Sequence, residues 1–172
     1  VIAANKNCPT QTVIAGATQA VEDAVKAFAL LGIDAQEIPV SHAFHSKIVA
    51  PASEPLSRVL EGLAINAPQL PILSNVHADY YPNDKAEIVS LLAKQLESPV
   101  EYIAQIERMY DEGARLFVEV GPRRASTGFV RSILGKKEYV AIATNHPKKP
   151  GVDCFLEALS CLVSEGYSVN GP

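Results

Sequence analysis

The sequence predicts an α/β protein, and three observations carry that reading. Through the second part of the chain, short apolar strands alternate with helical patterns, the arrangement that gives parallel crossovers. The run "RLFVEVG" has no polar–apolar alternation, as expected of a strand covered on both faces. The first part reads strand–strand–helix–strand. That is a ferredoxin-like βαββαβ pattern without its first strand and helix.

Each element has a local cause. "VIAA" and "TVIAG" are short strands joined by the turn-forming "NKNCPTQ". Thr18 is placed to cap a helix with Val21, Val25, Phe28 and Leu31 on its apolar stripe, ended by Gly32. "AQEIPV" is expected to return as a strand. Ser53-Glu54-Pro55 starts a helix burying Leu56, Val59, Leu60 and Leu63, and "PILSNV" is a strand. Asp84 and Glu87 form a capping box for a helix reaching Leu96, and Ser98 and Glu101 form a second, for a helix that stops at Gly113. After "RLFVEVG", a helix over about 124–134, the strand "YVAIAT" and a helix through Phe155, Leu159 and Leu162 complete the chain.

Composition narrows the function. A length of 172 residues suits one domain, or one domain with a small subdomain. A net charge of −4 has no basic excess for a phosphate backbone, which argues against nucleic acid. No apolar run approaches the ~20 residues of a membrane span, and no signal peptide is visible. Cys8, Cys154 and Cys161 have no C-x-x-C spacing and read as reduced, buried thiols of a cytoplasmic protein. The chain opens on Val1 inside a strand-like run, which suggests a segment of something longer.

"PVSHAFHSKIVAP" places His42 and His45 three residues apart at an expected strand end. A metal site would need further ligands, and Glu37 and Glu54 bring no partner motif. Both rings could equally be packed, hydrogen-bonded structural histidines. A general base at a strand end is the third reading; it needs a nucleophile and an orienting group. Residue types alone leave the three open.

"ANKNCPTQTVIAG", "VSHAFHSKIVAPA", "PILSNV", "KQLESPVEY" and "FVEVGPRRASTGFV" occur in that order. Together they resemble the C-terminal part of malonyl-CoA:acyl carrier protein transacylases and of acyltransferase domains of polyketide and fatty-acid synthases. The resemblance covers nearly the whole chain. It implies a hydrolase-like acyltransferase core of parallel strands and helices plus an incomplete ferredoxin-like subdomain. The expected division is 1–41 for the partial subdomain, 42–146 for the core, and 147–172 for a C-terminal helix and post-acyltransferase tail.

The resemblance implies that His45 is the catalytic base, and that the main-chain carbonyl of Gln95 receives its Nδ1–H in a Ser-His dyad. It makes His42, Ala43 and Phe44 the wall of the acyl pocket, in the malonyl-selecting H-A-F-H form; the methylmalonyl form reads Y-A-S-H. Asn75 matches a family position near the site and also fits a turn-forming structural role. Arg123 and Arg124 read as solvated or carrier-facing charges, and Gly121 relieves crowding in "EVGPRR". The implied reaction moves a malonyl group from CoA to the phosphopantetheine thiol of an acyl carrier protein, with no metal or redox cofactor. The family's G-H-S-x-G nucleophile motif does not occur in these residues. The expected partners are therefore an N-terminal remainder, a carrier protein and neighbouring synthase domains, and the segment alone is expected to be inactive. The competing reading is a non-catalytic docking domain within a synthase.

Overall fold

The computed structural model describes residues 1–40 and 42–169; Ser41 and the last three residues of the expected tail lie outside them. The chain forms two compact units, Val1–Gln105 and Ile106–Pro172. Its fold is mixed α/β.

In the first unit, β1 (Ile2–Cys8) and β2 (Gln11–Ala15) pair antiparallel, from Ile2 with Ala15 to Cys8 with Gln11. The turn is thus confined to Pro9 and Thr10. Asn5 and Lys6, expected to lie in the turn, are strand residues. Pairing explains this: they sit opposite Val13 and Thr12, and β1 is also bonded to Val100 through Lys6 N–H (3.0 Å) and the Ala4 carbonyl (2.8 Å). Helix α1 (Thr18–Leu30) follows, with Ala17 at its N-cap and no side-chain capping bond, so Thr18 is a helical residue and not the cap. The expected strand "AQEIPV" does not form. Residues 33–40 have no regular structure, and Ile38 and Val40 are exposed without a pairing edge.

A 3₁₀ turn (Lys47–Ala52) leads into α2 (Ser53–Glu61), which packs against α3 (Lys85–Gln95). Lys85 donates to the carbonyls of Glu61 (2.9 Å) and Leu63 (2.8 Å), satisfying backbone acceptors at the end of α2. "PILSNV" contributes only β3 (Leu73–Ser74), paired antiparallel with β4 (Asp79–Tyr80). At the start of α3 the Asp84 carboxylate accepts from Glu87 N–H at 3.1 Å, as its sequence position predicts. The second box is different. Ser98 Oγ donates backward to Lys94 O (2.9 Å), Val100 is tied to β1, and α4 (Tyr102–Asp111) starts only after both.

The second unit is a βαβ arrangement. Parallel strands β5 (Leu116–Glu119) and β6 (Val140–Ala143) are joined through α5 (Ala125–Leu134), and α6 (Gly151–Ser164) packs on β6. Val130, Leu134, Ala141, Cys154 and Ala158 are buried. Gly121 has φ +152°, a conformation side-chain-bearing residues avoid, which accounts for glycine after β5. Cys8, Cys154 and Cys161 are free thiols, the last half-buried. Among the described residues no helix is long and apolar enough to cross a membrane, and no cluster of three or more His, Cys, Asp or Glu could hold a metal ion.

Candidate active site

The C-terminus of α3 is where the predicted residues meet. A helix leaves its last carbonyls without intrahelical partners. Here one residue occupies two of them: His45 N–H donates to Leu96 O at 2.9 Å, and His45 Nδ1 lies 3.1 Å from Gln95 O. Nδ1 also lies 3.2 Å from Ser98 O, an acceptor that sequence reasoning missed. Carbonyl oxygens carry no proton, so Nδ1–H is the donor and the neutral ring keeps its lone pair on Nε2. Among the described residues Nε2 has no hydrogen-bond partner.

His45 adopts φ +60°, uncommon for a residue with a side chain. Neighbouring bonds hold it there. Ser46, 3% exposed, donates through Oγ to Ala43 O (2.5 Å) and accepts from Ile48 N–H (3.3 Å), capping the 3₁₀ turn. A left-handed residue so tied is the kind of local strain that gathers at functional sites. The residue is half-buried.

Phe44 is half-exposed and tilted 52° to the His42 ring, with centroids 6.0 Å apart. Ala43 is half-buried, and its carbonyl accepts from Ser46 Oγ. The side chain of Gln95 accepts from Tyr81 Oη at 3.3 Å while its carbonyl serves His45. Asn75 accepts through Oδ1 from Gln105 Nε2 (2.6 Å), and its carbonyl accepts from Glu101 N–H (3.0 Å). Gln105 is 8% exposed and was not foreseen; a glutamine next to Ile106 on the inward face of an amphipathic helix was the available signal. One seven-residue stretch, 95–101, therefore holds His45 at one end and Asn75 at the other.

Residues 1–163 match the model of the acyl transferase domain family. The chain belongs to that family. It is 36% identical over 141 residues to the malonyl CoA-acyl carrier protein transacylase of Bacillus subtilis, covering 81% of this chain and 44% of that protein. The acyltransferase domain from the second module of the salinomycin polyketide synthase superposes with a TM-score of 0.85 at 28% identity, over 97% of this chain and 39% of that one. A third similar structure is a malonyl-transacylase in complex with a type II polyketide synthase acyl-carrier protein, at 30% identity and TM-score 0.77 over 91% and 49%. This acyltransferase-family chain thus spans half or less of each relative.

Proposed function

We propose that this chain carries the base half of a malonyl-type acyltransferase site. His45 accepts the proton of a serine hydroxyl supplied by polypeptide outside these 172 residues. The observation that carries the reading is the His45 Nδ1 contact with the Gln95 and Ser98 carbonyls in a chain of this family. The two carbonyls do the work of a triad aspartate: they orient the ring and face the side that becomes positive. Serine oxygen attacks the malonyl-CoA thioester carbon as its proton passes to Nε2. The tetrahedral intermediate expels the CoA thiolate, which takes that proton, and a malonyl ester remains. The phosphopantetheine thiol of a carrier protein then gives its proton to Nε2 and attacks the ester; serine leaves and recovers the proton. No metal or redox cofactor enters this scheme. His42, Ala43 and Phe44 form the acyl wall, with Asn75 beside the site. The β1–β2 hairpin and α1 are part of a ferredoxin-like subdomain completed by other polypeptide.

Expressing this chain together with an upstream segment bearing G-H-S-x-G, then supplying malonyl-CoA and holo carrier protein, tests the reading. Transfer is expected from the pair and not from either part. His45→Ala is expected to lower it by about 10²–10⁴-fold, the usual contribution of a general base. Turnover by this chain alone, or turnover indifferent to His45→Ala, overturns it.

A further inference from the structure

The second unit holds a cleft of about 230 Å³ beside β6 and its C-terminal end, lined in part by Arg124, Arg131, Asn145, His146, Lys149 and Glu157. Ligand sites in α/β proteins favour this end of the strands. Cleft volumes that take a whole drug-sized ligand start near ~300 Å³, so this one suits a group and not a whole cofactor. Its charge is one-sided although the chain as a whole is acidic. Glu157 is the acidic lining residue, and both of its carboxylate oxygens accept from Lys149 at 2.8 Å. Arg131 donates to Ala141 O (3.1 Å) and keeps its charge. Arg124 is exposed and has no ion pair among the described residues. The ring of His146 is fixed because Nδ1 accepts from Lys148 N–H at 3.0 Å, which leaves Nε2–H as a donor even on the neutral ring.

We propose that this cleft binds a phosphate or diphosphate group, with Arg124 as the principal ligand and His146 Nε2–H as a neutral donor. A planar arginine fork suits phosphate oxygens, and charge-assisted bonds are the strong ones. The inference stands on the second unit alone and does not depend on the acyl-transfer reading. Pyrophosphate and adenosine 3′,5′-diphosphate, titrated separately into the full chain at ~150 mM salt to screen diffuse attraction, test it. Ring signals of His146 followed by NMR report on the site, and calorimetry gives the affinity. Saturable shifts are expected, with Arg124→Ala weakening binding about tenfold or more. Arg58→Ala, which removes an exposed cation of the other unit, is expected to change it less than twofold. Tighter binding of the nucleotide than of pyrophosphate identifies a nucleotide-borne phosphate, and equal binding identifies a bare one. No His146 shift at millimolar probe, or equal losses in the two variants, overturns the proposal.

Discussion

The conformation of His45 is better understood from its backbone than from its ring. A side-chain-bearing residue at φ +60° is uncommon, yet this turn delivers both the main-chain N–H and Nδ1 to the end of α3. Next to it, Phe44 is half-exposed and rests on His42 rather than in a closed core. Its replacement should therefore have little effect on folding and test the acyl-wall role proposed for it. In the complemented enzyme, Phe44→Ser is expected to raise methylmalonyl transfer relative to malonyl by tens to about a hundredfold, since one methyl is worth only ~1–3 kcal/mol. Paired kcat/KM values for the two donors check it; an unchanged ratio removes Phe44 from the wall. A second residue-scale expectation concerns His146. Partial burial first, then the charges of Arg124, Lys149 and Lys148, hold its pKa below 6.5. The folded state thus binds fewer protons there than the unfolded state as pH falls from 6.5 to the lowered value. Stability contributed by the neutral ring is complete above 6.5 and lost through that window. An NMR titration should give a midpoint below 6.5, moving upward in Arg124→Ala.

At the scale of elements, helix ends decide more than helix interiors. The start of α5 has no capping side chain of its own. Glu119, at the end of β5, supplies one: its carboxylate accepts from Ser126 N–H (3.2 Å), Thr127 N–H (2.6 Å) and Thr127 Oγ (2.7 Å). Thr127 is 5% exposed, so these donors have little water to turn to. Glu119→Ala is expected to destabilise the chain by about 1.5–3 kcal/mol, and Glu119→Gln by less, because the amide keeps an acceptor and loses the charge. Urea denaturation followed by circular dichroism measures both; equal small effects would show the cap to be dispensable. The same principle marks where the sequence was legible. Asp84 could be read because the cap and its target lie three residues apart. Ser98 misled because its hydroxyl turns back to Lys94, a choice made when Val100 pairs with a strand almost a hundred residues away. Glu119 gave no signal, since its cap crosses a turn. "AQEIPV" has strand propensity, but a strand needs an edge to pair with, and among the described residues none reaches it.

For the whole molecule, the surface tells what the elements cannot. The accessible area is 11362 Å². Two separate compact bodies of the units' sizes expose roughly 9,800 Å² together. The excess is comparable to a standard protein–protein interface of about 1,600 Å². It includes apolar side chains: Leu30 at 89%, Leu31 at 72% and Leu70 at 75% in the first unit, and Val120 at 83% in the second. No residue of α1 is buried, though its Val21, Val25 and Phe28 stripe was legible in the sequence. Periodicity identifies a face that wants cover; it does not say which polypeptide provides it. The described strands also form only two-stranded sheets, smaller than the ~4–6 strands usual in a globular domain. These features predict that the isolated chain self-associates at tens of micromolar, with a melting temperature that changes with concentration. Sedimentation velocity across a concentration series checks this. Leu30→Glu with Leu31→Glu is expected to shift the distribution toward monomer and to make the melting temperature independent of concentration, at the wild-type chain's low-concentration value, because neither side chain packs on a core. A wild-type chain that is monomeric at every concentration, with one sharp and concentration-independent melt, would show that the exposed apolar faces are tolerated in water and have no need of a partner.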